Sequence, residues 1–461
     1  MIDSGALPAG WSLVPLGELL TAIDSGKSFK CEERPPEAHE VGVIKVSAVS
    51  WGEYQESESK TCVDAERIEP DYFVRPGDFL FSRANTIELV GACVIAGRVS
   101  KRLMLSDKIL RLHFAMEDLK PWVLQYLRSK AGRDQIELLA SGNQESMRNI
   151  GQERLRQILV PLPPSNERES IGFKLDELLS QLAAASGEVS AATRKLIRYR
   201  QSLLKSAVEG TLTAAWRRGK ATSAWTSATI GELADVGTGV TPLRSNARFF
   251  EGGSIAWVTS GALNAPVVTA ASEFVTEAAL AECRLTTYPP GTLLVAMYGE
   301  GKTRGKCAEL GIAATINQAV AAIVLRTAFE HRRPFLKIFL WHSYETMRQL
   351  ASGGVQPNLN LQIIKNIRVP LPPVDEQHEI VRLLDELLEA TKAQEDALSR
   401  SLAMASAQRQ NILRAAFSGQ LVPQDPSDEP ASALVDRIRA QRQTAAPTAK
   451  RKAGRPAKVA A

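Results

Sequence analysis

Val160-Pro161-Leu162-Pro163-Pro164 is written a second time, 209 residues later, as Val369-Pro370-Leu371-Pro372-Pro373. Outward from this phrase, Leu175-Asp176-Glu177-Leu178-Leu179 returns as Leu384-Asp385-Glu386-Leu387-Leu388 at the same displacement, and Gly210 returns as Gly419. Matches in a single register over so long a stretch define a duplicated module. A chain built from two copies of one unit does one job at two places.

Each proline phrase closes one kind of structure and opens another. Two prolines stop a following helix from extending backwards, because they lack the N–H and restrict the residue before them. Asn166 or Asp375 is placed to N-cap such a helix, with Glu169 set for the reciprocal bond in the first copy. Glu167, Glu376 and Glu379 put negative charge at the positive end of the helix dipole. Gly210 and Gly419 stand where a left-handed residue ends each helix. Between these signals Ile171, Leu175, Leu178, Leu182, Ala185, Val189, Ala192, Leu196, Tyr199 and Leu203 alternate spacings of four and three, a heptad seam that calls for a partner helix. The second copy is rougher, passing from Ile380, Leu384 and Leu387 through Thr391 and Gln394 to Leu398 and Ile412. Residues 166–209 make about 65 Å of helix, too long for the inside of a small domain. The spacing predicts two struts that pair antiparallel.

What precedes each strut repeats more loosely. Gly17-Glu18-Leu19 answers Gly231-Glu232-Leu233, and Arg75-Pro76-Gly77-Asp78 answers Pro289-Pro290-Gly291-Thr292, both displaced by 214 residues. Short β-rich runs at 41–49, 78–82, 257–260 and 292–297 lie between turn residues. A helix is expected in each half at Pro121-Trp122 and Pro334-Phe335, with proline at the first helical position. The chain therefore reads as α+β: a mixed globule over 1–160, a helical spacer over 161–216, a second globule over 217–368, a second spacer over 369–425 and a basic, disordered tail over 426–461. Antiparallel struts would carry the chain from one globule to the other and back, placing the globules at opposite ends of a rod about a pseudo-twofold axis.

With 461 residues, two to four domains are expected. An apolar fraction of 44% with 23% charged residues is ordinary for a soluble globular protein. No run of eighteen apolar residues is present, so no membrane span is expected. Residues 1–10 have neither the basic start nor the apolar stretch of a secretory signal. The five cysteines, Cys31, Cys62, Cys93, Cys283 and Cys307, are widely spaced and form no CxxC pair, which argues for the reducing cytoplasm and against a thiolate metal site. The formal net charge of +5 is concentrated at the end of the chain, where Arg442, Lys450, Arg451, Lys452, Arg455 and Lys458 face no acid. Without those six, 50 basic residues stand against 51 acidic ones. A nucleic-acid surface on the folded body must therefore come from local clustering. The tail, with Gly454-Arg455-Pro456 but Ala453 in place of an arginine before it, reads as a nonspecific phosphate tether.

This layout resembles the specificity subunits of type I restriction–modification systems. The resemblance is carried by the two Val-Pro-Leu-Pro-Pro phrases followed by Glu167 or Glu376 (with Gln377 in the second), the Leu-Asp-Glu-Leu-Leu repeats, Gly210 and Gly419-Gln420-Leu421. Within the second globule, Gly237-Thr238-Gly239-Val240-Thr241-Pro242, Trp257-Val258, Gly305-Lys306 and Asn317-Gln318 resemble the family's target-recognition signature. In the first, Ser25-Gly26-Lys27-Ser28 lacks the Thr-Pro, and Ser106-Asp107-Lys108 stands where Asn-Gln belongs. The resemblance implies a subunit without catalysis of its own. Each globule would read one half of a split, asymmetric site in double-stranded DNA, and the paired helices would set the unread gap. The partners implied are two adenine methyltransferase subunits and restriction/translocase subunits, which would hold S-adenosylmethionine, ATP and Mg; no cofactor is expected on this chain. A 65 Å strut spans roughly 19 base pairs.

Bases are read by Arg, Lys, Asn, Gln, Ser and Thr, while other basic groups hold phosphate. In the second globule such residues cluster at Thr241, Arg244, Ser245, Asn246 and Arg248, and at Tyr298, Lys302, Arg304 and Lys306. In the first they are Lys27, Ser28, Lys30 and Arg34, then Ser82, Arg83, Asn85 and Thr86. A single solvated loop cation is the ordinary case; several on turn-rich backbone argue for a binding surface. Ser141-Gly142-Asn143-Gln144, like Ser352-Gly353-Gly354 with Gln356 and Asn358, is a polar loop that either touches DNA or caps a helix. Gly299-Glu300-Gly301-Lys302-Thr303 imitates a phosphate-binding loop, but Ala296 occupies the position of its first glycine. The five histidines, His39, His113, His331, His342 and His378, are scattered, and Trp51 and Trp257 fall at strand ends as core anchors. Two rival readings remain: a non-DNA interaction scaffold presenting two globules on a coiled-coil rod, and a nucleotide-dependent enzyme using the Gly299 turn.

Overall fold

The structure is a computed structural model that describes residues 7–50, 52–64, 66, 68–144, 147–298, 303–350 and 359–445. The chain divides into two compact units, Met1–Glu188 with Ser401–Ala461, and Val189–Arg400. Each is a mixed α and β body that also holds half of both long helices.

In the first unit Ser12–Pro15 pairs antiparallel with Leu159–Leu162, so the proline phrase is itself a strand. Thr226–Thr229 and Arg368–Leu371 do the same in the second. A two-stranded ribbon leaves each proline an edge where its missing N–H breaks no ladder. The main sheet of the first unit runs in the order Leu20–Ser25, Ile109–Phe114, Phe79–Ser82, Cys93–Ile95. Its counterpart runs Ala234–Thr238, Val320–Leu325, Leu293–Ala296, Cys307–Leu310, with Val267–Val268 added in parallel at the edge. Phe79, Leu80, Phe81 and Leu293, Leu294, Val295 are fully buried, as strands covered on both faces require. A smaller sheet lies beside each: Cys31–Glu32, Ser59–Cys62, Gly42–Ile44, Leu103–Met104 in one unit, and Glu273–Val275, Ile255–Val258, Thr315–Ile316 in the other. In the ribbon and the four central strands of the main sheet, the duplication read from the proline phrases is a duplication of fold.

The two long helices are Ser165–Val208 and Val374–Phe417, each 44 residues. In the first unit Ile171 and Leu175 share a core with Ile412, Leu413, Ala416 and Phe417. In the second, Leu203, Ala207 and Val208 share one with Ile380 and Leu384. The start of each helix thus lies against the end of the other, and the coiled coil is antiparallel as the spacing predicts. Arg200 and Glu395 add an interhelical ion pair at 3.3 Å. Gly210 and Gly419 end the helices at φ +76° and +69°, the left-handed geometry that glycine adopts without strain.

Several expectations need correction. The heptad seam is buried at Ile171, Leu175, Leu196 and Leu203, but Ala185 and Tyr199 are exposed, because small and polar residues give the middle of the pair little to pack. Asn166 is not a cap: the first helix already starts at Ser165, and the Asn166 amide donates to Asp428. The second starts at Val374, ahead of Asp375. Pro121 and Pro334 do not open their helices, which begin at Leu119 and Arg333; a proline is tolerated anywhere in the first turn, where no N–H is yet used. The run 41–49 is a short strand, Gly42–Ile44, followed by a helical turn, Ser47–Ser50. The stretch from 426 is not wholly disordered: Ala431–Ala445 is a helix whose Ala431, Leu434, Val435 and Ile438 join the first unit's core. Trp257 is buried as expected; Trp51 lies outside the described residues.

Candidate nucleic-acid interface

The glycine motifs position the first set of candidate residues. A side chain at Gly239 would overlap the backbone of Ile316, and one at Gly26 would overlap the backbone of Leu105 and Ser106. Both glycines therefore press a loop onto the small sheet, and Gly26 does in the first unit what Gly239 does in the second. The departure at Ser25-Gly26-Lys27-Ser28 keeps the close approach and changes only the side chains beyond it.

Beyond Gly26, Lys27 forms an ion pair with Glu69 at 2.7 Å and lies over the Tyr72 ring; these contacts hold its ammonium above the usual lysine range. Ser28 is exposed, and the backbone N–H of Lys30 donates to Asp64. Arg34 grips both oxygens of Glu40 at 2.7 Å and reaches Glu32 at 2.9 Å. That bidentate pair leaves the Arg34 fork committed within the protein.

Beyond Gly239, Thr241 is half-buried, Ser245 is exposed and Asn246 accepts from the Phe249 N–H through its backbone carbonyl. Arg244 stacks over Trp257 at 5.1 Å and pairs with Glu273; Arg248 pairs with Glu282 at 2.9 Å. Tyr298 is exposed, Lys306 donates to the Asn264 side chain, and the Arg304 Nε is buried without a hydrogen-bond partner. Lys302, with the rest of Gly299–Gly301, and the loop at 352–358 lie outside the described residues.

A third sheet in the first unit gathers residues far apart in the chain. Ser141–Gln144 and Met147–Asn149 form a hairpin whose second strand pairs with Ala84–Asn85. Arg148 lies opposite Asn85, and the Arg83 Nε donates to the Asn149 side chain at 3.4 Å. Asn85 is held from below by Ser50, and its carbonyl oxygen accepts the Thr86 N–H at 2.9 Å. The polar loop at 141–144 is thus an edge strand paired with Met147–Asn149, which itself pairs with Ala84–Asn85, and not a helix cap. Arg148 and Asn149 were not singled out from the sequence; the signal available was the Ser-Gly turn composition just before them.

Each unit is pinned to its long helix by a repeated bond. Trp11 Nε1 donates to Glu167 at 2.9 Å, and Trp225 Nε1 donates to Glu376 at 2.9 Å. Both carboxyls are buried. At Glu167 burial raises the pKa, outweighing bonds from Trp11 and Gln424. At Glu376 burial also pushes upwards, but Thr213, Trp225 and the Arg217 guanidinium together hold it below the usual carboxylate range. Among the described residues no group of histidines, cysteines and carboxylates could hold a metal ion, and no helix is long and apolar enough to cross a membrane.

Two globular units of one design, each offering polar loops on a glycine-shaped frame, define a tandem recognition protein. A profile of the type I restriction modification DNA specificity domain matches residues 222–400. The specificity subunit of the Escherichia coli enzyme EcoEI is 35% identical over 161 residues, covering 34% of this chain and 27% of that relative. The chain thus spans about a quarter of that protein's length, whereas the StySPI specificity subunit of Salmonella potsdam is 22% identical over 96% of this chain and 97% of its own. A solved chain described with the assembly and conformational transition of a type I restriction–modification system shares the fold with a TM-score of 0.62, at 20% identity over 90% of this chain and 99% of its own. Residues 222–400 thus match the type I restriction modification DNA specificity domain, and along nearly its whole length the chain is similar to specificity subunits of type I restriction–modification systems.

Proposed function

We infer that this chain is the DNA-targeting subunit of a type I restriction–modification complex, recognising a bipartite, asymmetric site with a fixed spacer. One observation carries the reading: a single frame occurs twice with different surfaces upon it. Trp11 and Trp225, Gly26 and Gly239, and Cys93 and Cys307 hold matching places, while Lys27-Ser28 faces outward in one copy and Val240-Thr241 in the other. Two non-identical readers predict a site whose halves differ, unlike the palindrome of a homodimer. Both long helices pass unbroken through the two units, which suits a constant gap.

Catalysis is assigned to partner subunits: two methyltransferase subunits, with S-adenosylmethionine, and restriction/translocase subunits, with ATP and Mg. In this reading the present chain supplies only where the chemistry happens. Mapping methylated adenines in the host genome tests it. A split motif of constant gap is the expected result, and exchanging residues 217–368 for those of another subunit should rewrite one half alone. Methylation without a split motif, or an exchange that rewrites both halves, overturns it.

A further inference from the structure

We propose that Cys31 and Cys62 of the first unit form a redox-active dithiol, which a low-molecular-weight disulfide converts reversibly into a cross-strand bridge. The chemistry of the pair is independent of what the first unit recognises.

The two cysteines stand 31 residues apart in the chain, and the fold brings them face to face. Cys31–Glu32 is the edge strand of the small sheet, antiparallel to Ser59–Cys62, and Cys31 lies directly opposite Cys62. The Val63 N–H donates to the Lys30 carbonyl at 3.0 Å, so the backbone bond flanks the pair and does not join it. In an antiparallel ladder that is the narrow, non-hydrogen-bonded position, where opposed Cα atoms are about 4.5 Å apart. Disulfides bridge Cα atoms roughly 4.4–6.8 Å apart, so no strand has to move for the bond to form.

The side chains agree with the backbone. Opposed residues share a face of the sheet, and both cysteines pack against the same cluster of Phe29, Val41, Val43 and Met104. The Cys31 Sγ lies 3.5 Å from the Phe29 carbonyl oxygen and the Cys62 Sγ 4.0 Å from that of Asp64. Phe29 precedes Cys31 by two residues and Asp64 follows Cys62 by two, so both sulfurs lean towards the same end of the ladder. Burial pushes the Cys31 thiol up and Cys62 beside it adds to the rise, an electrostatic sign that the two sulfurs are near.

The other three cysteines lack this arrangement. Burial pushes Cys93 up to about 11 and Cys307 up to about 12, which keeps both inert. Cys283 and Cys307 belong to different core clusters of the second unit. Cys31 and Cys62 are both half-buried and free, within reach of a small reagent. The device therefore belongs to the first unit alone.

Closure proceeds by two exchanges. The thiolate of one cysteine attacks a sulfur of the reagent disulfide and expels half of it as a thiol; the thiolate of the other attacks the mixed disulfide and expels the second half. The cysteines together lose two electrons and two protons, and one reagent disulfide becomes two thiols. The bridge fastens the edge strand, and with it the Lys27–Lys30 segment just before it, to Ser59–Cys62. It closes a loop of roughly 30 residues, which restricts the unfolded chain and stabilises the folded one.

The test incubates the folded full chain with oxidised glutathione, quenches it and titrates thiols after denaturation. The five free thiols should fall to three, with the Cys31 and Cys62 peptides joined in the digest, and dithiothreitol should restore all five. The melting temperature of the bridged chain should rise by about 5 °C or more. Cys31→Ser and Cys62→Ser should each leave a glutathione adduct on the remaining member and no bridge, while Cys283→Ser should bridge like the wild type. Five unreacted thiols, separate adducts on both cysteines of the wild type, or a bridge between two chains would overturn the proposal. So would a bridge that forms only in urea, or one that leaves the melting temperature unchanged or lowers it, because the native register would then not be poised for closure.

Discussion

Glu167 and Glu376 hold the same position in the two copies, accept from the same ring nitrogen and titrate in opposite senses. The difference lies in the other partners: Glu376 also accepts from Thr213 and pairs with the Arg217 guanidinium, whereas Glu167 has Gln424 and, among the described residues, no cation, with the Asp428 carboxylate pushing it further up. Glu376 has a folded pKa below the ordinary 4.5, so its stabilisation is complete above about pH 4.5 and is lost as pH falls through the folded value. Glu167 has a folded pKa above 4.5, so its ionised form costs the first unit stability as pH rises past that value. At pH 7, Glu376→Gln should therefore destabilise the second unit by about 2 kcal/mol, leaving Arg217 facing a neutral amide. Glu167→Gln keeps an acceptor for Trp11 and should leave the first unit as stable or more so. Urea unfolding of both variants at pH 7 and pH 4 measures this; equal losses would show that the cation is not what separates them. Nothing in the local sequence announces this asymmetry, because Arg217 precedes Glu376 by 159 residues.

At the scale of elements, the long helices were legible and their packing was only partly so. Apolar spacing, paired prolines and a closing glycine specify a helix and its ends to within a residue or two. How deeply each apolar residue is buried depends on what faces it. Leu384 is fully buried in the second unit's core, while Tyr199, equally at home in a heptad list, is 47% exposed. Leu384→Ala should cost about 3 kcal/mol and Tyr199→Ala under about 1 kcal/mol, read from denaturant midpoints. Comparable losses would mean that the seam is closed along its whole length. The final helix, Ala431–Ala445, was missed because basic and alanine-rich composition suggested disorder, although Ala431, Leu434, Val435 and Ile438 carry the i, i+3, i+4, i+7 stripe. Candidate loops were legible as polar clusters. Which cations would be neutralised was not, since Glu40, Glu69 and Glu273 reach them only through the fold.

For the whole molecule, the C-terminal region separates into two roles. Removing residues 446–461 takes away five basic residues, Lys450, Arg451, Lys452, Arg455 and Lys458. Binding of the complex to DNA should then show a shallower salt dependence and an unaltered motif. Removing 431–461 also strips Leu434, Val435 and Ile438 from the first unit's core, and should lower its stability by about 3 kcal/mol or more. A melting temperature indifferent to the longer deletion would show that the last helix contributes nothing to that core.

The first unit is assembled from two separated stretches of the chain, whereas the second is one uninterrupted stretch. On the ribosome, Val189–Arg400 emerges complete while the earlier body still waits for Ile412, Phe417 and Leu434. The module translated first is the one that matures last. A nascent chain stalled before residue 401 would carry one finished unit and one unfinished, its apolar face open to chaperones until Ile412, Phe417 and Leu434 arrive.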